Sequence, residues 1–194
     1  MKKIAIFASG NGSNFQAMVE SVKNGTLPVE IGLLVCDRPD AYAIKRANRE
    51  GVPTYHFSPK DFSGKREYET RLLAILQEFG IEFIVLAGYM RLIGSTLLEA
   101  YEGKIVNIHP SLLPAFPGKD AIGQALAAGV DCTGVTVHFV DAGMDTGKVI
   151  AQQAIDILPG DTSETLQEKI QMVEHVLYPA VVKKLLSEKK ETIQ

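Results

Sequence analysis

Short apolar runs separated by amphipathic stretches constrain this chain more than any other feature. Ile4–Ala8, Ile31–Val35, Phe83–Ala87 and Ile105–Ile108 carry almost no polar residue, and Thr54–Phe57 reads as a shorter strand between them. A strand that is apolar on both faces must be covered on both faces, which is the condition of a parallel sheet between two helical layers. The intervening segments supply the cover. Asn14–Lys23 presents Phe15, Met18, Val19 and Val22 at helical spacing, Ala41–Arg49 is a helix ending at Gly51, and Arg66–Phe79 places Leu72, Leu73, Ile75, Leu76 and Phe79 on one side before Gly80. Thr96–Tyr101 is a shorter helix.

Beyond Pro117 the rhythm changes. Ala121–Ala128 is helical, but Thr133–Val140 and Val149–Ile157 alternate apolar and polar residues as an antiparallel pair does. Asp161-Thr162-Ser163-Glu164 opens a final helix running to about Leu186, which Pro179 is expected to kink or interrupt. Lys183–Gln194 is charged and expected to fray. The expectation is one α/β domain over residues 1–194, doubly wound and mostly parallel, with an antiparallel C-terminal portion.

Composition narrows the function. The net charge of −3 argues against a general attraction to nucleic acid or anionic membrane, and no apolar run approaches the roughly 20 residues of a membrane span. Cys36 and Cys132 sit in apolar contexts and read as buried free thiols. No His, Cys, Asp and Glu set has zinc-ligand spacing, so no metal is expected. A reduced, cytoplasmic enzyme acting on small molecules, as monomer or homodimer, fits these features.

The chemistry concentrates at strand ends. Asn107-Ile108-His109-Pro110 closes the fifth apolar run, and in open α/β sheets ligands sit at the carboxyl ends of strands. Residues two apart share a strand face, so the Asn107 amide and the His109 imidazole enter one space. An amide that can hold an oxyanion beside a ring that can carry a proton suits acyl transfer. A lone His is ordinarily a satisfied buried histidine; the flanking Asn107 argues for more. Asp145, in the glycine-rich loop Asp141–Gly147, is a carboxylate that would favour the imidazolium if placed beside it. His138 competes with His109 but lies within an alternating strand with Thr136 and Val140, while His56 and His175 lack companion residues.

Ser9-Gly10-Asn11-Gly12-Ser13-Asn14 joins the first strand to the first helix, where glycines admit a ligand close to backbone and the helix start offers free N–H groups to an anion. Three readings stand here: a phosphate monoester, a dinucleotide, and a plain tight turn. Phe15 replaces the third glycine of the dinucleotide fingerprint, whereas Asp37 stands where a ribose-reading acid would.

Taken together, Gly10–Asn14, Leu86-Ala87-Gly88-Tyr89-Met90-Arg91-Leu92, Asn107–Pro114 and Val137-His138-Phe139-Val140 with Met144-Asp145-Thr146-Gly147 resemble the phosphoribosylglycinamide formyltransferases, in order, from Lys3 to about Leu186. The resemblance implies transfer of a formyl group from 10-formyltetrahydrofolate, a co-substrate, to the amine of glycinamide ribonucleotide without a metal. It implies Asn107, His109 and Asp145 as the catalytic set, and Gly12, Ser13 and Asn14 as the phosphate site. Glu174 would touch the ribose or glycinamide side. Lys65, Met90, Arg91, Leu92, Ile93, Asn107, Val140 and Asp141 would bind folate. The segment Pro117–Gly123 lacks histidines that some members of the family carry there. Two relatives share the chemistry: methionyl-tRNA formyltransferase, which adds a C-terminal domain and a basic surface, and formyltetrahydrofolate deformylase, which adds an N-terminal domain. A nucleotide-binding dehydrogenase or a nucleotide sensor using Asp37 is the rival from another class.

Overall fold

The computed structural model describes residues 1–187. Its strands are β1 (Lys2–Ala8), β2 (Val29–Cys36), β3 (Thr54–His56), β4 (Phe83–Leu86), β5 (Ile105–His109), β6 (Cys132–Phe139) and β7 (Val149–Asp156). The helices are α1 (Ser13–Lys23), α2 (Tyr42–Glu50), α3 (Lys65–Glu78), α4 (Ser95–Ala100), α5 (Ala121–Ala128) and α6 (Ser163–Ser187), with a 3-10 turn at Pro59–Asp61 that the periodicity did not announce. The strands form one sheet in the order β3-β2-β1-β4-β5-β6-β7. Pairing is parallel from β3 through β5 and antiparallel across β5–β6 and β6–β7. The expected mixed, doubly wound architecture is therefore present.

Alternation along β1 explains its apolar sequence. Ile4, Ile6 and Ala8 enter the core under α1 and α6, whereas Ala5 and Phe7 enter the core under α3 and α4. Lys2 and Lys3 open the strand at its solvent-facing end, and from Ile4 to Ala8 every side chain is needed inside, so none of these five is polar. The order reverses between β1 and β4: the chain leaves β1 toward β2 and β3, then returns to add β4 and β5 on the other side. The crevice outside the strand ends at such a reversal is where this architecture binds ligands.

Two expectations need correction. Helix α6 runs through Pro179 without interruption. The missing N–H forgoes one backbone bond, a cost of about 3 kcal/mol, but Tyr178, Val181 and Val182 beside it are buried in the main core, and burial of such side chains is worth roughly 1.5–3 kcal/mol each. Packing wins. Cys132 is exposed rather than buried, because it opens β6 at the strand's outer end; Cys36 is buried as expected, and burial followed by the neighbouring Asp37 charge pushes its thiol up to about 12. At the start of α6, Thr162 and Thr165 cap each other reciprocally, Thr165 N–H donating to Thr162 Oγ1 at 3.2 Å and Thr162 N–H to Thr165 Oγ1 at 2.9 Å. The final helix persists to Ser187; the rest of the stretch expected to fray, residues 188–194, lies outside the described residues.

No described helix is long and apolar enough to cross a membrane.

Candidate active site

Strand β5 ends at the crevice and presents Asn107 and His109 on one face. Strand β6 pairs with it antiparallel, so that Asn107 faces His138 and His109 faces Thr136 across the ladder. Directly opposite residues project to the same face of a sheet. The four side chains therefore share one surface, and His138 becomes part of the site. Sequence alternation had placed His138 correctly on a strand; only the register brings it against Asn107.

Asp145 completes the cluster. It adopts a left-handed backbone, φ 55°, at the turn of the loop between β6 and β7. Its Oδ2 lies 3.4 Å from His109 Nδ1 and its Oδ1 lies 3.6 Å from His138 Nε2, the latter an ion-pair separation rather than a hydrogen bond. The Gly118 amide donates to Oδ2 at 2.9 Å. Burial alone would push the Asp145 carboxyl up, but His138, the Gly118 amide and the charge of His109 together hold it below its ordinary value. Gly147 lets the loop close: a Cβ there would lie 1.7 Å from the Phe139 carbonyl oxygen, a distance no side chain tolerates.

His109 is 6% exposed, and both its ring nitrogens face oxygen. Nε2–H donates to the Phe116 carbonyl at 2.8 Å, leaving Nδ1 toward Asp145. A protonated ring satisfies both contacts at once, whereas a neutral ring holding the first bond turns a lone pair toward the carboxylate. His138 differs. Its Nδ1–H donates to the Phe139 carbonyl at 2.7 Å, so in the neutral ring Nε2 is an acceptor, 3.3 Å from Asn107 Nδ2. The segment carrying Phe116 is pinned from β6 and β7: Leu113 N–H donates to Thr136 Oγ1, Thr136 to the Ser111 carbonyl, and Gln152 to the Leu113 carbonyl. Thus Pro117-Gly118, without histidines, still contributes through its backbone. Beneath the strands, the buried Tyr178 hydroxyl shares its one proton between the carbonyls of Leu86, at 2.7 Å, and Val106, at 3.1 Å, tying β4 and β5 together.

The first loop lies beside this cluster, at the end of β1. Gly12 caps α1 at φ 77°, and a Cβ there would lie 2.7 Å from Ala43 Cβ, so only glycine fits. No side chain caps the helix, which leaves first-turn amides free to bind an anion. Arg46 fixes the loop by donating from Nε to the Asn11 carbonyl and from Nη2 to Asn11 Oδ1, both at 2.9 Å. Asn14 donates from Nδ2 to Glu174 Oε2 at 2.9 Å, joining two residues singled out separately. Burial raises the Glu174 carboxyl against the opposing effect of that bond.

The segment after β4 is divided in its exposure. Met90 and Leu92 are exposed, whereas Ile93 is buried in the core under α3 and α4, so its side chain is withdrawn from the crevice. Lys65 starts α3 against Gly94, next to this segment. Val140 packs at the edge of the same core, and Asp141 is spent on its own loop, accepting from the Gly143 amide at 3.0 Å and Thr146 Oγ1 at 2.6 Å. Asp37, the candidate ribose reader, is 3% exposed and committed to Ser9 and Arg91, which removes the argument for a dinucleotide site. Its type and position looked right, but its oxygens are already taken by protein donors.

The comparisons with known proteins agree with this geometry. Residues 2–182 match the formyl transferase family. The chain is 55% identical over 186 residues to the phosphoribosylglycinamide formyltransferase of Bacillus subtilis (strain 168), covering 96% of this chain and 95% of that protein. It superposes on glycinamide ribonucleotide transformylase 1 from Geobacillus kaustophilus with a TM-score of 0.94 at 63% identity, covering 96% and 99% of the two chains. It superposes on phosphoribosylglycinamide formyltransferase from Bacillus Halodurans with a TM-score of 0.95 at 54% identity, over 100% of both. With a family match over nearly the whole described length and an amide, two imidazoles and a carboxylate gathered at the sheet's carboxyl edge, this chain belongs to the formyl transferase family.

Proposed function

We propose that the protein is a phosphoribosylglycinamide formyltransferase, moving the formyl group of 10-formyltetrahydrofolate to the amine of glycinamide ribonucleotide. The observation that carries this reading is the contact of His109 with Asp145, two residues along β5 from Asn107 and its cross-strand partner His138. The similarity to the Bacillus subtilis enzyme over nearly all of both chains supports the substrate pair. The ribonucleotide phosphate sits on the amides of Gly12, Ser13 and Asn14, with Glu174 at the ribose or glycinamide portion. The folate lies against Lys65, Met90, Arg91, Leu92, Asn107, Val140 and Asp141, with Ile93 shaping that wall from the core. The enzyme works in the cytoplasm on these small molecules, as monomer or homodimer, without metal.

In this mechanism the neutral amine attacks the formyl carbon, a new C–N bond forms, and the carbonyl oxygen becomes an oxyanion. Asn107 donates an N–H to that oxygen, its amide edge set by the acceptor nitrogen of His138. Protonated His109 stabilises the same charge, exchanging the Phe116 carbonyl for the oxyanion. The bond from the formyl carbon to the folate nitrogen then breaks, and that nitrogen takes a proton while the attacking amine loses one. Protonated His109 gives its proton to the folate nitrogen, and Asp145 takes the proton that the amine gives up, directly or through water, and returns it to His109, so that no proton is gained or lost overall.

The test is a mixing experiment with the full chain. Formyl-folate alone should persist, and tetrahydrofolate should appear only once glycinamide ribonucleotide is added. Release of tetrahydrofolate and formate without the nucleotide would make the chain a hydrolase, and no release in either case would overturn the reading.

A further inference from the structure

The end of β1 carries a serine that none of the site chemistry uses. Ser9 is 2% exposed; its amide donates to the Gly88 carbonyl at 3.1 Å and its hydroxyl to Asp37 Oδ1 at 2.5 Å. The same hydroxyl oxygen accepts the Met90 amide at 2.9 Å. The other carboxylate oxygen of Asp37 accepts Arg91 Nε–H at 2.7 Å. Asp37 follows β2, Ser9 follows β1 and Met90-Arg91 follow β4, so the chain of bonds crosses the reversal point of the sheet. The carboxylate is almost wholly buried, its side chain 2% exposed, while the Arg91 side chain is 39% exposed.

Every member of this network is satisfied only in one arrangement. A hydroxyl has one proton, which goes to Asp37, so its oxygen is left to receive Met90. A buried carboxylate needs a cation, and among the described residues Arg91 is the one paired with it. Among the described hydrogen bonds the Asp37 side chain has no other partner, and it caps no helix. Residues 88–92 have no strand or helix of their own. Apart from this network they are held by Tyr89, whose ring meets Phe7 edge-on at 5.3 Å, and by Ile93 in the core.

We infer that Ser9 and Asp37 are positioning residues for the folate wall, setting the Met90 amide and the Arg91 guanidinium from beneath and thereby the fit of the formyl-folate. The inference rests on the folate assignment of Met90–Leu92 made above. It gives Asp37 a role in place of the ribose contact that its position suggested.

Full-length Ser9→Ala, Asp37→Ala, Asp37→Asn and Arg91→Ala variants, with the Asp37→Ala/Arg91→Ala double, test it by steady-state kinetics on both substrates and by amide hydrogen exchange of the ligand-free proteins. Ser9→Ala and Asp37→Ala should raise KM for 10-formyltetrahydrofolate about tenfold, with KM for glycinamide ribonucleotide and kcat held within about twofold. Asp37→Asn, which keeps one acceptor, should restore part of the loss, and Asp37→Ala should cost much less in the Arg91→Ala background. The Met90 amide should exchange about tenfold faster in Ser9→Ala. KM values rising together, a fall in kcat alone, or additive effects of Asp37→Ala and Arg91→Ala would overturn the inference. If Asp37→Ala does not fold, Ser9→Ala, which loses a single oxygen, decides it. If wild-type protein leaves formyl-folate untouched with the nucleotide present, the functional reading falls, and unchanged Met90 exchange would then remove the clamp independently.

Discussion

His138 Nε2 lies 3.3 Å from Asn107 Nδ2, and the two residues face each other across the β5–β6 ladder. With its other ring nitrogen given to the Phe139 carbonyl, His138 in its neutral tautomer turns the Nε2 lone pair toward Asn107 Nδ2. That fixes which edge of the carboxamide is a donor, leaving the second N–H for a developing oxyanion. Asn107→Ala should lower kcat by about a hundredfold to a thousandfold, equivalent to roughly 2.7–4 kcal/mol. His138→Phe should lower kcat by a smaller factor with the ribonucleotide KM unchanged, because the donor survives without its guide. Steady-state kinetics on both variants check the order; equal losses would make His138 a direct participant.

Asp145 contacts both imidazoles and the Gly118 amide, so its carboxylate has no neutral substitute. Asp145→Asn should reduce kcat by about a hundredfold or more while circular dichroism and ligand binding stay near wild type. Held below the ordinary carboxyl range, Asp145 is ionised throughout neutral pH, and the stability it lends is lost only as pH falls through that lowered value. Turnover near wild type in this variant would remove Asp145 from the chemistry.

Glu174 titrates in the opposite sense. Burial raises its folded value above the ordinary 4.5, so the native state pays for the ionised form at neutral pH. The relative stabilisation is full below the ordinary value and lost as pH rises through the folded one. Glu174→Gln keeps an oxygen for Asn14 and cannot ionise. Its Tm should exceed that of wild type at neutral pH, and the gap should close as pH falls toward 4.5. A gap independent of pH would mean that ionisation is not the cause.

Tyr178→Phe removes the hydroxyl that joins the Leu86 and Val106 carbonyls. Two buried acceptors lose a donor, and stability should fall by about 1–2 kcal/mol in urea denaturation. Since these carbonyls precede the functional ends of β4 and β5, kcat should fall severalfold as well. Full activity with reduced stability would confine Tyr178 to the core.

Periodicity was enough to read the layers. Continuous apolar strands demanded two covered faces, and the change to alternation after Pro117 marked the antiparallel end of the sheet. Asn107 and His109 were legible because residues two apart on a strand share a face, a relation set by local geometry alone. Gly12 was singled out for letting backbone approach a ligand, and the structure adds that its left-handed φ of 77° and its closeness to Ala43 demand glycine there. What could not be read depends on partners distant in sequence. His138 enters the site through register, which a one-residue slip would reverse. Asp37 is withdrawn from any ligand by Ser9 and Arg91, residues far from it along the chain. Ile93 turns into the core although its neighbours Met90 and Leu92 face out, and Pro179 stays helical because packing on either side outweighs one lost bond. Short-range rules assign element and face; only the assembled sheet decides which polar groups spend their hydrogen bonds on each other and which keep them for a ligand.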